Sequence, residues 1–200
     1  MQMLKTDPRF RALIQKHGAP NFNRGKNPFR ALVRAIIYQQ ISGKAAASIL
    51  AKFLALFDGR RFPTPEEVYA MRLQKLRSAG LSTQKALYIK DLAKKFSDGT
   101  IRHRSLHRMS NDEIIAHLIQ VKGIGVWTAH MFLLFTLQRP DILPTGDLGI
   151  RRGFKIIYKL RTMPSPKKME ELARPWRKHA SIASWYLWRV ADGTKNPDSE

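Results

Sequence analysis

Apolar positions along this chain recur every three or four residues, and short alternating runs are absent. Leu32, Ile36 and Ile37 share one face of the segment Phe29–Ile41. Ile49, Leu50, Phe53, Leu54 and Phe57 do the same in Lys44–Phe57. Start and stop signals bracket the segments. Asp7-Pro8 and Asn27-Pro28 each put a capping side chain before a proline at the first helical position, and so predict helices over Arg9–Lys16 and Phe29–Ile41. Gly18 and Pro20 end the first of these. Ser42 caps Lys44–Phe57, and Ser82 caps Gln84–Phe96, which Gly99 closes. Thr64-Pro65-Glu66-Glu67 and Ser110-Asn111-Asp112-Glu113 have the form of capping boxes, opening helices over Glu66–Met71 and Ile114–Gln120. Val126–Leu137, Leu148–Lys159, Lys167–Arg174 and Trp176–Ala191 complete the helical pattern. β-branched residues do not cluster, so the predicted class is all-α.

Composition narrows the picture. Two hundred residues suffice for one domain, or two small lobes sharing a core. The longest apolar run, Met131–Leu137, is interrupted by Thr136 and falls far short of the ~18 residues of a membrane span. Met1–Arg11 lacks the apolar core of a signal peptide. With no cysteine, disulfides, iron–sulfur clusters and thiolate zinc sites are all excluded. His103 and His107 stand four apart among arginines with no carboxylate at ligand spacing, which disfavours a metal there.

Charge points to a partner. Lys and Arg number 36 against 15 Asp and Glu, a net charge of +21. The excess is +13 over residues 1–100 and +8 over 101–200, so the whole body is basic and no detachable tail carries the charge. Such a surface attracts a polyanion, and nucleic acid is the first candidate.

The sharpest local motif is Val121-Lys122-Gly123-Ile124-Gly125-Val126-Trp127-Thr128-Ala129, where one helix ends and another begins. Two glycines around Ile124 permit a tight turn, and Ile124 plugs the gap between the helices. Backbone N–H groups at the new helix start suit a DNA phosphate, with Lys122 beside them. Further on, Pro144-Thr145-Gly146-Asp147 precedes the basic pair Arg151-Arg152. Asp147 is an N-cap candidate whose ionisation the helix dipole favours. An anion where DNA must dock costs affinity, so its presence there needs a reason. Arg151 and Arg152 have two readings, phosphate contact or pairing with the C-terminal acids.

These pieces together resemble the helix-hairpin-helix (HhH-GPD) DNA glycosylase superfamily. Within it the chain is similar to the alkylated-purine branch, the 3-methyladenine DNA glycosylase II type. The resemblance runs from about Asn27 to Trp188 and includes Ile37-Tyr38-Gln39-Gln40-Ile41-Ser42, the glycine hairpin, the Gly146-Asp147 turn, Pro175-Trp176-Arg177 and Trp185. It implies two helical lobes with a cleft between them, in a compact form without an N-terminal β-domain. Lobe one would span about 28–137 and contain the hairpin 118–129; lobe two would join 1–27 to 138–200.

The resemblance also implies roles. Asp147 would be the catalytic carboxylate of a monofunctional hydrolase that flips an alkylated purine out of duplex DNA and cleaves its N-glycosidic bond. Trp127 stands where lyase members carry a lysine, and tryptophan cannot form an imine. Trp127, Trp185 and Tyr38 would wall the base pocket; Met131 stands where some relatives have tyrosine. Gln40 would be the wedge that fills the vacated stack, with Ser82 and Thr83 probing the minor groove. Lys122, Gly123, Ile124, Gly125 and Thr128 would bind phosphate. No cofactor is required, although the backbone carbonyls of Ile119, Val121 and Ile124 match a structural Na+ or K+ site. The implied partner is double-stranded DNA carrying alkylated bases, met by a monomer away from any membrane. The location would be the cytoplasm and nucleoid in a bacterium, or the nucleus in a eukaryote. Two rivals remain at this point: a non-catalytic helix-hairpin-helix DNA-binding protein, and a glycosylase of other base specificity.

Overall fold

Side-chain caps set where the helices begin. In the computed structural model, which describes residues 4, 7–22, 27–57 and 61–193, Asp7 and Asn27 accept N–H bonds at the starts of α1 (Pro8–His17) and α2 (Pro28–Tyr38). Ser42 does so for α3 (Gly43–Ala55) and Ser82 for α6 (Thr83–Ser97). Both capping boxes close as expected, at α4 (Pro65–Ala70) and α7 (Asn111–Leu118). α5 (Leu73–Arg77) and a 3-10 turn at His103–Arg108 complete the first half. Then come α8 (Val126–Met131), α9 (Leu148–Ile157), α10 (Pro166–Ala173) and α11 (Ala180–Asp192). No strand occurs among the described residues, and the class is all-α.

Helix boundaries differ from the apolar pattern in four places in particular. The segment expected to run to Ile41 stops at Tyr38, because Gln39 is extended and Gln40 turns to φ 56. The one expected to run to Gln120 stops at Leu118. Val126–Leu137 changes character at Phe132, where the backbone widens into a π turn over Phe132–Thr136. The helix expected from Trp176 is preceded by a 3-10 turn over Arg174–His179, and Trp176 itself departs from helical geometry. The C-terminal acids considered for Arg151 and Arg152 lie outside the described residues.

The chain forms two compact units, Gly25–Phe132 and Met1–Arg24 with Leu133–Glu200. In the first, α2 buries Leu32, Val33, Ile36 and Ile37, while α6 buries Ile89, Leu92 and Phe96. Each such side chain contributes roughly 1.5–3 kcal/mol. In the second, α9 and α11 form the most extensively packed pair, around Ile150, Phe154, Tyr186 and Leu187. Gly153 makes that approach possible. A Cβ there would lie 2.5 Å from the Leu187 carbonyl oxygen, which is backbone and cannot swing aside.

Candidate active site

Two buried serines of α11 fix the segment that leads to Asp147. Ser181 accepts from Ile142 N at 3.1 Å and donates to the Arg139 carbonyl; Ser184 donates to the Ile142 carbonyl at 3.3 Å. Ile142, Leu143 and Pro144 are buried beyond that clasp. The chain then turns through Thr145 N–H to Leu143 O (2.9 Å) and Asp147 N–H to Pro144 O (3.0 Å). Asp147 lands as the N-cap of α9, its Oδ1 accepting from Ile150 N at 2.8 Å.

The same oxygen accepts a second bond, from the indole Nε1 of Trp188 at 2.9 Å. Trp188 in turn stacks on Phe135, centroids 6.0 Å apart and planes at 22°. Gly149 leaves room for the ring: a Cβ there would sit 2.8 Å from Trp188 Cδ1. A half-buried carboxylate is thus oriented by two N–H donors against an aromatic wall. Hydrogen bonds to a charged acceptor are among the stronger ones, and two of them narrow the carboxylate's range of orientations. Leu148, adjacent to it, is 70% exposed. Trp185, named above as a pocket wall, packs edge-on to His17 and Tyr186 with the Arg189 guanidinium over its face at 4.8 Å. It is Trp188 that bonds the carboxylate.

The other expected residues lie in the unit Gly25–Phe132. Gly123 takes φ 81, and a Cβ on it would run into the Tyr88 ring, so the hairpin needs glycine twice over. Ile124 is buried and donates its N–H to Val121 O at 3.0 Å. Lys122 is exposed, but its backbone N–H donates to Asp91 Oδ2 at 2.8 Å, and Lys95 bonds that same oxygen at 2.6 Å. Lys95 also donates to the Gln120 carbonyl at 2.6 Å. Burial pushes the Asp91 carboxyl up, but Lys95 and the Lys122 N–H outweigh it and hold the group below the usual range. Gly125 is exposed and Thr128 is buried. Trp127 is half exposed, and Met131 follows it one helical turn later on α8. Tyr38 is half-buried with the Arg34 guanidinium over its ring at 4.1 Å. Gln40, Ser82 and Thr83 are exposed.

Sequence comparison decides the affiliation. The description "HhH-GPD superfamily base excision DNA repair protein" matches residues 33–178. The chain belongs to the HhH-GPD superfamily. Its relatives include the DNA-3-methyladenine glycosylase 1 of Schizosaccharomyces pombe, 36% identical over 94% of this chain and 86% of the relative. Among solved structures, the S. pombe 3-methyladenine DNA glycosylase in complex with abasic DNA shares 33% identity. It covers 95% of this chain and 94% of its own, with TM-score 0.80. A DNA-3-methyladenine glycosidase from Bacillus halodurans also shares 33% identity, covering 94% and 87% with TM-score 0.85. The HhH-GPD match includes Gln40, the hairpin and Asp147, and ends before α11. Trp188 therefore lies beyond it. In the sequence it sits in the apolar run of α11 without a signal of its own, and only the close approach of its ring to Gly149 in the folded protein marks it.

Proposed function

We propose that this HhH-GPD protein is a monofunctional DNA glycosylase that removes alkylated purines of the 3-methyladenine and 7-methylguanine type from duplex DNA. The observation that carries the reading is the Asp147 carboxylate, pinned through Oδ1 by Ile150 N and Trp188 Nε1. Relatives named for 3-methyladenine release at 33–36% identity support the substrate class.

The chemistry suits one carboxylate. An N3- or N7-alkylated purine is already cationic, so it departs with the C1′–N bonding pair and needs no general acid. Positive charge builds on the deoxyribose as that bond breaks, and Asp147 offsets it. Water then bonds to C1′ and passes one proton to the surrounding solvent, leaving an abasic site and a neutral free base. Trp127, half exposed, offers an electron-rich face suited to a cationic base. With tryptophan at 127 no imine forms and the strand stays intact. Gln40 fills the vacated stack, Ser82 and Thr83 meet the minor groove, and the backbone of 123–125 with Lys122 grips a phosphate. The neutral carbonyls of Ile119, Val121 and Ile124 suit a monovalent cation that would tie this turn to the phosphate. The protein acts as a monomer wherever the genome lies, nucleoid or nucleus.

The test compares wild type with Asp147→Asn on methylated duplex DNA, measuring free purines released. Asn keeps the cap and loses the charge. Wild type releases 3-methyladenine; the variant loses about 10³-fold or more, on the scale of removing a main transition-state stabiliser, and retains DNA binding. Equal release by both proteins refutes the role of Asp147. Binding by both without release makes the protein a non-catalytic binder.

A further inference from the structure

Gln40 sits on a turn that the local sequence does not explain. It is neither glycine nor asparagine, yet it adopts φ 56, immediately after a helix whose apolar pattern would carry it three residues further. Two side chains, Lys85 from outside the turn and Gln39 within it, account for this. Lys85, in the first turn of α6, donates from Nζ to the carbonyls of Ile37 and Gln39, both at 2.7 Å. These carbonyls stand at the C-terminus of α2, where a cation is favoured. Gln39 turns its own side chain the other way, donating from Nε2 to the Gly123 carbonyl at 2.8 Å. Gly123 is the hairpin glycine with φ 81.

Lys85 is an unusual choice of clamp. The ammonium is partly buried, and desolvation pushes it below the ordinary lysine value. Among the described residues no carboxylate bonds it, and both of its hydrogen bonds go to backbone carbonyls. Burying a charge without a counter-ion in a chain of net charge +21 is unfavourable, so the site retains it for what it holds. What it holds is specific. Lys85 belongs to the turn that Ser82 caps, since Ser82 Oγ accepts from Lys85 N at 3.2 Å. One residue therefore ties the Ser82–Thr83 turn to the Gln39–Gln40 turn, and Gln39 ties the latter to the hairpin. Ser42 caps α3 just beyond, accepting from Ala45 N at 3.3 Å, so the exposed Gln40 is fixed on both flanks.

We propose that Lys85 is the positioning residue for the Gln40 wedge and that, with Gln39, it joins the wedge turn, the Ser82–Thr83 turn and the phosphate hairpin into one preassembled DNA-reading body. The proposal rests on the glycosylase reading for the role of Gln40. Its physical content is preorganisation: a wedge already held at the correct backbone angle spends none of its binding free energy on ordering. Without the clamp, the α2 terminus is free to relax toward helix and withdraw Gln40.

The test uses the full chain with Lys85→Met, which keeps the aliphatic stem and loses the donors, beside Lys85→Arg and Gln40→Ala. Single-turnover release of 3-methyladenine is measured from a duplex and from the same strand unpaired. A wedge matters where a base must be extracted from a stack and matters little where none is paired. Lys85→Met is expected to slow duplex release about tenfold or more and single-strand release by less than about twofold, as Gln40→Ala does. Lys85→Arg restores most of the duplex rate. Combining Lys85→Met with Gln40→Ala adds nothing further, since both remove the same interaction. Equal losses on both substrates would mean a merely structural role and overturn the proposal, as would no loss on either.

A second readout needs no chemistry. A 2-aminopurine opposite an abasic analogue brightens when wild type saturates the duplex and unstacks it. The saturated Lys85→Met complex gives less than about half that rise, and an equal rise would overturn the proposal. If wild type releases no base from either substrate, the glycosylase reading fails, and the fluorescence still decides whether Lys85 sets the wedge.

Discussion

Replacing Trp188 by phenylalanine isolates one bond at the centre of the proposed chemistry. Phenylalanine keeps an aromatic ring to lie against Phe135 and removes the Nε1–H that donates to Asp147 Oδ1 at 2.9 Å. The cap bond from Ile150 N at 2.8 Å remains, so the carboxylate stays at the start of α9 but gains rotational freedom. A hydrogen bond to a charged acceptor contributes about 1.5–3 kcal/mol. If that orientation is fully used as the glycosidic bond breaks, the rate falls about 10- to 150-fold, at 1.36 kcal/mol per decade. Single-turnover release of 3-methyladenine reads the rate, and affinity for abasic duplex, expected to change by less than about twofold, reads the docking. In the Asp147→Asn background the same substitution should leave the residual rate unchanged, because the charge it orients is gone. A Trp188→Phe rate within about twofold of wild type would refute the argument that the indole works through Asp147.

Two further outcomes test the packing that supports the site. Gly153→Ala forces a methyl group onto the Leu187 carbonyl and should cost about 2 kcal/mol of stability, a fall in Tm of roughly 4–8 °C by thermal denaturation; an unchanged Tm would show that α9 and α11 can move apart at no cost. His117 is buried and accepts from Arg102 N through Nε2 at 2.8 Å, and burial foremost, then the Arg102 charge, holds its pKa below the ordinary 6.5. The unfolded chain therefore binds the proton more readily, so stability is full above about pH 6.5 and declines as pH falls through the window below it; His117→Gln should flatten that decline in denaturant titrations, and an unaltered slope would place the acid sensitivity elsewhere.

Helix starts were legible in the sequence and helix ends were not, for a physical reason. A cap is a local bond: Asp7, Asn27, Ser42, Thr64, Ser82, Ser110 and Asp147 each accept an N–H two or three residues on, within sight of any reading of the chain. The end of α2 at Tyr38 depends on Lys85, 46 and 48 residues from the carbonyls it holds. Leu73–Arg77 and His103–Arg108 escaped notice because Arg72 and Arg102 supply no side-chain cap. Asp147 stood out as a rare acid between a turn and an arginine pair. Trp188 did not, since in an apolar run it is indistinguishable from core until α9 is laid against α11. The hairpin glycines were plain from spacing, while Asp91, which bonds the Lys122 N–H from 31 residues away, gave no such sign.

On the proposed reading Asp147 holds two posts, and this shapes how such a chain drifts over generations. As the cap of α9 it satisfies an otherwise orphaned N–H, and a mutation to alanine forfeits about 1 kcal/mol of stability along with any charge. Selection for a folded protein alone would thus retain a short polar acceptor at this place. A descendant that abandoned base removal and survived as a DNA-binding protein would be found with asparagine, serine or threonine at 147, seldom with an apolar residue. The scar of lost chemistry at this position is a conservative one, and a reading of paralogues must look for a missing charge where the side chain's shape has been kept.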